Sequence, residues 1–227
     1  MLASALLAVG LSTPATPTRA APSAATGALL TAIEPLGFAG FDASPTQRQE
    51  IQQLINSLQQ LNPNPSPAND LDGDWQLIYS DAPDITSLRN SGPLVRLQRV
   101  GQQIDAAAKT IANVIEYKPR MWLPLSTFGA EDDRIQQRVL LTYSVDDEGR
   151  RCKLSIDGAS LAARKFLGVS LDAAPPLTIR GITSLPFGEF VCLYNDGDVR
   201  IAQTQQGYYS VNRRLDASSS EGWGAMA

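Results

Sequence analysis

From Ile51 to Leu61, the apolar residues Ile51, Leu54, Ile55, Leu58 and Leu61 recur every three or four positions, with mostly polar residues between them. That spacing predicts an amphipathic helix with one face toward a core. Its entry is specified twice, because Ser44-Pro45-Thr46-Gln47 is a capping box with proline at the first helical position. Asn62-Pro63 ends the helix, and Asn62 to Asn69 (NPNPSPAN) is a stiff connector. A shorter helix is expected over Ala28–Pro35, with Leu29, Leu30 and Ile33 on one side. The longer helix should pack on the outside of the main domain or across one mouth of it. Its glutamine-rich polar face is a poor match to anionic lipid.

Beyond Leu71 the period falls to two. Strands are predicted at Gly73–Ser80, Val95–Val100, Gln103–Ala107, Ile111–Tyr117, Ile135–Val145, Arg151–Ile156, Leu177–Ile179, Glu189–Tyr194, Val199–Gln203 and Tyr208–Arg213. Gly101-Gln102, Asp147-Glu148-Gly149, Asp196-Gly197 and Gln206-Gly207 each offer a glycine where a hairpin needs positive φ. Short antiparallel strands at this spacing favour a closed or nearly closed barrel, which removes exposed edges. The expected fold is mainly β, an antiparallel β-barrel with N-terminal helices. The chain divides into four segments: 1–27 as a targeting or disordered segment, 28–63 helical, 71–214 the barrel domain and 215–227 a flexible tail.

Composition narrows the function. Of 227 residues, 43% are hydrophobic and 19% charged, which suits a packed core. A net charge of −4 without a long basic run argues against nucleic acid as a partner. Histidine is absent, which excludes His-based triads and His-ligated metals. Cys152 and Cys192 make neither a disulfide framework nor a zinc knuckle and read as structural thiols. The first acidic residue is Glu34, after an Ala/Ser/Thr/Pro-rich stretch whose apolar run Leu2–Leu11 is too short to span a bilayer. Organelle targeting is the better reading of that stretch, with a secretory signal as competitor.

The chain is organised around Leu71-Asp72-Gly73-Asp74-Trp75-Gln76-Leu77-Ile78-Tyr79-Ser80. Gly73 lets the backbone bend where a strand begins, and Trp75, Leu77 and Tyr79 follow on one face by the period of two. A strand that opens with glycine and plants a tryptophan at the floor of a sheet resembles the first strand of a lipocalin-type barrel. Three blocks then resemble the plastid lipid-associated protein (fibrillin) family: Leu58–Pro63 (LQQLNP) before a Pro-rich gap, Leu71–Ser80, and Tyr194-Asn195-Asp196-Gly197-Asp198-Val199-Arg200-Ile201 followed by Gly207. The likeness covers residues 28–214. It departs at Glu189-Phe190-Val191-Cys192-Leu193, where the family usually has Gly-Trp-Leu-Asp-Thr-Thr, and at Gln203, where a second arginine is common.

The resemblance implies a lipocalin-like barrel in plastids, associated with plastoglobules or thylakoids, that binds or shields a carotenoid, quinone or lipid. No cofactor is implied. In lipocalin-like barrels an arginine of the last strands covers the tryptophan of the first, so Arg200 is expected over Trp75, with Gly73, as the structural closure. Candidate ligand-binding residues are Trp75, Leu77, Tyr79, Ile115, Tyr117, Tyr143 and Leu154, which would equally serve a filled core. Arg96 and Arg138 are strand-borne arginines, one of which could anchor a polar head group, although solvent-facing strand arginines are commoner.

Two apolar loops offer Trp122, Phe128 and Phe166 as a lid or as contacts to a membrane or plastoglobule surface. The alternative is that these loops plug the barrel. A second functional reading makes the protein a partner of a plastid quinone or carotenoid biosynthetic enzyme. A third, a His-free barrel isomerase or cyclase, would need Glu116 or Asp157 at the ligand.

Overall fold

The computed structural model describes residues 24–88, 95–119, 133–166, 169–171, 174–216 and 222–224. The N-terminal stretch expected to be a targeting segment lies almost wholly outside them. Helix α1 (Ala24–Ile33) starts four residues before its expected position and passes into a 3-10 turn at Glu34–Leu36. Helix α2 (Pro45–Gln60) has the capping box that Ser44 and Gln47 predicted. The Ser44 hydroxyl accepts from the Gln47 backbone N–H at 3.3 Å, and the Gln47 side chain accepts from the Ser44 N–H at 2.9 Å. Ile51, Ile55 and Leu58 are buried, but Leu61 falls past the last turn and stays exposed. A single turn, α3 (Pro83–Ser87), follows the first strand.

The strands are β1 (Gly73–Ser80), β2 (Val95–Asp105), β3 (Thr110–Pro119), β4 (Arg134–Val145), β5 (Arg151–Phe166), β6 (Val169–Ser170), β7 (Leu177–Asn195), β8 (Val199–Thr204) and β9 (Tyr209–Arg214). All pairings are antiparallel, and they run β1-β2-β3-β4-β5-β7-β8-β9 and back to β1, with the short β6 attached to β5. The ladder therefore returns to its starting point through eight strands. Two pairs of predicted short strands are each one long strand: β2 runs through Gly101, and β7 runs from Leu177 to Asn195 with register shifts.

Gly101 corrects the sequence reading. Its turn does not exist; Gly101 lies mid-strand opposite Gln76 and Val114. A Cβ there would overlap the Trp75 carbonyl oxygen and approach Trp223 Cζ2 to 2.5 Å. Glycine serves close approach here rather than a reversal. At the other expected turns, Gly149, Gly197 and Gly207 do take positive φ.

Both faces of the sheet are covered along β8. Val199 and Ile201 pack with Leu29, Ile33, Ile51, Ile55 and Leu58 of the two helices, while Ala202 belongs to the opposite cluster around Trp75. A strand buried on two sides reads as a near-continuous apolar run, as Val199–Ala202 does apart from Arg200. The helices thus lie on the outer face. Part of the tail expected to be flexible is also held: Trp223 is buried with Ala112, Val114, Leu140 and Leu215, and its backbone N–H donates to Asp74 at 2.9 Å.

Candidate ligand-binding site

Strand alternation sends Trp75 of β1, Ile104 of β2, Ile111 of β3, Leu141 and Tyr143 of β4, Cys152 of β5, Cys192 of β7 and Ala202 of β8 into one cluster. Trp75 is its floor. Its indole nitrogen donates to the Leu71 carbonyl at 2.8 Å, which fixes the ring. The Arg200 guanidinium lies 4.7 Å from the ring centroid, and that of Arg214 lies 4.4 Å from it. Such contacts contribute about 0.5–1 kcal/mol when exposed and about 2 when desolvated. Gly73 has a φ of +109°, and a Cβ on it would meet Arg214 Nη1 at 2.6 Å. The glycine therefore makes room for a second arginine, which donates to the carbonyls of Asp72 and Gly197 at 2.6 and 2.5 Å.

Above this floor is a cavity of about 740 Å³, lined by residues from all eight strands of the circuit. Leu77, Val100, Ile115, Val139, Leu154 and Phe190 supply much of its apolar wall, while Gln102, Asn113, Arg200 and Asn212 bring polar groups. Ile85 and Leu88, at and just beyond α3, and Tyr208 of the β8–β9 turn also line it. A largely apolar wall with a few convergent polar groups, at this volume, is the usual make-up of a small-molecule site.

Arg200 is 1% exposed. Its Nη2 donates to the Gln102 side-chain oxygen, while Nε and Nη1 have no hydrogen-bond partner among the described residues. The Gln102 amide in turn donates to Asn113 at 2.9 Å. Burial pulls the Arg200 pKa down to about 10, so the group still carries its charge at neutral pH. Cys152 and Cys192, both buried free thiols, are pushed up to about 12 and about 11 by the same desolvation.

Of the predicted ligand residues, Leu77, Ile115 and Leu154 line the cavity. Trp75 and Tyr143 lie in the cluster beneath it. Tyr117 is half-buried on β3 and does not line it. Tyr79 corrects the expectation of a shared face with Trp75 and Leu77. The register shifts between Leu77 and Tyr79, and Tyr79 packs instead with the helix cluster, its ring tight against Gly40. Such a bulge moves every later side chain to the opposite face. Trp122 and Phe128 lie outside the described residues, as does the Phe166 side chain.

Neither candidate head-group arginine reaches the cavity. Arg96 is exposed; Arg138 is buried beneath the C-terminal segment, donating to Gln136, to Gln103 at 2.8 Å and to the Trp223 carbonyl at 2.8 Å. Glu116 belongs to the same outer network, paired with Arg99 at 2.7 Å and accepting from Gln136 at 3.0 Å. Asp157 is skipped by both ladders of β5 and does not line the cavity. Among the described residues no acidic, cysteine or histidine cluster suits a metal ion, and no helix is long and apolar enough to cross a membrane. Among the cavity residues that sequence reasoning missed are the polar Gln102, Asn113 and Asn212. Their only signal was a polar residue at an inward position of a strand.

The signature Tyr194–Ile201 has a mechanical account. The Tyr194 hydroxyl lies 3.0 Å from Thr26 Oγ1 of α1 and donates to Asp196 at 2.9 Å. Asn195 donates to the Pro67 and Asp70 carbonyls at 3.0 and 2.6 Å, tying the stiff connector to β7. Asp196 accepts from the Asp198 and Val199 N–H groups at 2.9 and 2.7 Å and shapes the turn. The same run thus joins helix, connector, turn and cavity floor.

Residues 23–212 match the PAP_fibrillin family model. The chain belongs to this family. It is 35% identical over 202 residues to an Arabidopsis thaliana protein named probable plastid-lipid-associated protein 3, chloroplastic, covering 77% of this chain and 54% of that one. It is 30% identical over 144 residues to the light-induced chloroplastic protein of Solanum demissum, covering 60% of this chain and 43% of that protein. Plastoglobulin-1 of Pisum sativum is 32% identical over 79 residues, 33% of this chain and 22% of that protein. The chain spans about half or less of the length of these relatives. No solved structure shows a significant match. The relatives named are chloroplastic, which supports the plastid address expected of this fibrillin-family chain.

Proposed function

We propose that this fibrillin-family chain is a lipocalin-like β-barrel that binds or shields a hydrophobic isoprenoid or lipid at a plastoglobule or thylakoid surface. The observation that carries the reading is the cavity of about 740 Å³, walled largely by apolar side chains from eight strands, with Arg200 lining it and covering the Trp75 ring. Names of relatives that include plastid lipid-associated protein and plastoglobulin support the same reading. So does the exposed row of Leu161, Leu177 and Ile179: Leu161 pairs with Leu177 directly, and Ile179 sits two residues along. Apolar side chains standing together in water mark a surface that meets something apolar.

We read the role as non-catalytic: neither Glu116 nor Asp157, the strand carboxylates considered for acid–base chemistry, lines the cavity, and Glu189, which does line it, is paired with Arg151. Incubation of the purified chain with plastid lipid extract, followed by repurification and mass spectrometry, tests the proposal. Stoichiometric recovery of one lipid class is expected. Recovery of no lipid, together with capture of a biosynthetic enzyme from stroma, would favour the reading as an enzyme's partner.

A further inference from the structure

The exposed row of Leu161, Leu177 and Ile179 is the outer end of the cavity wall. Residues directly opposite in a ladder share a face. Ile179 opposes Ala159, which opposes Val139, and the rung continues through Asn113 to Gln102. Leu177 leads in the same way through Leu161, Gln137 and Ile115 to Val100. Val139, Asn113, Gln102, Ile115 and Val100 all line the cavity. The intervening residues of the opposite face, Gln136, Arg138 and Ser160, are buried, so this part of the wall is open on its inner side. Because strands tilt in a barrel, a rung climbs as it crosses them. The apolar wall therefore leaves the enclosed cavity and ends in Leu161, Leu177 and Ile179, which are 49%, 71% and 57% exposed.

The row also marks one end of the molecule. β8 ends at Thr204, close to Phe190 of β7, so Leu177–Gly188 of β7 extends past the β8–β9 turn and pairs with β5 alone among the described strands. This is the end away from Trp75. Six large apolar side chains are exposed among the described residues, and five of them stand here: the row itself, Phe187 and Tyr208. Phe187 and Tyr208 line the cavity as well, so the opening and the apolar surface coincide. Charge is divided along the same axis. Near the strand ends around the opening are Arg96, Lys118, Arg134 and Arg180, against Asp81, Asp84 and the buried Asp133. The turns of the closed end carry Asp105, Asp146, Asp147, Glu148, Asp196 and Asp198 against Lys109 and Arg150. An anionic surface would attract the first end and repel the second.

We propose that the barrel docks mouth-first on an anionic lipid surface with Leu161, Leu177 and Ile179 in the lipid, and that the ligand moves along this wall between lipid and cavity without crossing water. This rests on the carriage reading and deepens it by fixing which end meets the lipid and how the cavity fills. Each methylene left in water costs about 0.8 kcal/mol, so an apolar chain crosses free solution slowly and a continuous apolar wall removes that barrier.

The test loads the full chain with pyrenedecanoic acid methyl ester, a neutral probe read by energy transfer from tryptophan, and mixes it with galactolipid vesicles containing phosphatidylglycerol. Transfer should accelerate in proportion to vesicle concentration, the mark of exchange during contact. It should slow at least about tenfold when phosphatidylglycerol is omitted or salt is raised to about 1 M. A Leu177→Asp/Ile179→Asp double variant should slow it at least about tenfold, while binding of the probe without vesicles stays unchanged. Both positions are exposed, so folding is spared, and the vesicle-concentration series needs no variant. A transfer rate independent of vesicle concentration would mean that the ligand leaves through water and would overturn the docking while leaving carriage intact. Natural transfer by the double variant would remove the row as the docking surface. Dimers in sedimentation without vesicles that the double variant abolishes would assign the row to a second copy of the chain and overturn the lipid assignment. Failure of the natural chain to bind the probe at all would overturn the carriage reading and this inference with it.

Discussion

The Trp223 indole nitrogen donates to the backbone carbonyl of Trp75 at 3.2 Å, so two tryptophans 148 residues apart grip one strand from opposite sides. Trp75 faces the interior cluster, while Trp223 lies outside across Gly101, with the Arg99 guanidinium 4.6 Å from its ring centroid. The C-terminal segment is therefore a fastening for the strands that bear the cavity floor.

Replacing Gly101 by alanine should destabilise the chain by about 1–3 kcal/mol, the usual cost of forcing a methyl group into a filled space. Both neighbours of the new methyl resist displacement, since one is backbone of β1 and the other a buried indole. Urea unfolding followed by circular dichroism measures it. Trp223→Ala should cost about 3–5 kcal/mol through lost burial. It should also raise the exposure of Arg138, whose guanidinium donates to the Trp223 carbonyl. A midpoint unchanged in either variant would refute the fastening.

Gly101 and Trp223 also show where the sequence stops being legible. A glycine before a polar residue between two apolar runs signals a turn, and only the partner strand reveals that its missing side chain admits an indole and a carbonyl. Trp223 stands in a Ser/Gly/Ala-rich tail with no periodicity, so nothing local announces that it is buried. The bulge that turns Tyr79 away from the cavity is likewise a property of the β1–β9 ladder. By contrast, the β1 limits and the capping box were readable, because period and cap chemistry are local signals, whereas the Trp75–Arg200 contact was expected from the resemblance to lipocalin-like barrels.

Ser44→Ala should lower stability by about 1 kcal/mol, the typical worth of an N-cap side chain. The loss should appear first in α2, because the Ser44 hydroxyl accepts from the Gln47 N–H at the first turn. Hydrogen exchange resolved along the chain reads it: amides of 47–49 should exchange faster while those of β8 change little. Uniform acceleration would mean that the cap serves the whole fold rather than the helix end.

The two buried thiols predict a loss of stability in alkali. Their folded pKa values are raised from 9.0 to about 12 and about 11, so the unfolded chain releases these protons first as pH rises. Their contribution is complete below pH 9 and declines toward the folded values. Between pH 9 and pH 10 the two thiols should cost about 2 kcal/mol, of which Arg200, half-titrated near pH 10 in the folded chain, should return a small part. Urea midpoints across this window should fall in the natural chain and flatten in a Cys152→Ala/Cys192→Ala double variant. Parallel slopes would show that other groups govern the alkaline limb.

Filling the cavity separates carriage from surface attachment. Leu154 lines it from β5 and is only partly buried, so Leu154→Trp projects new bulk into open space and should cost less than about 1.5 kcal/mol of stability. The same change should lower lipid recovery at least about tenfold, because the indole occupies volume the acyl or prenyl chain needs. Leu177→Asp and Ile179→Asp, on the exposed row outside the cavity, should leave recovery of lipid from detergent solution intact and weaken sedimentation with galactolipid vesicles instead. Two independent defects would mean that the inner wall holds the molecule and the outer row docks the protein. If Leu154→Trp abolished vesicle sedimentation but spared lipid recovery, the cavity would be a passive void and the carriage reading would fall.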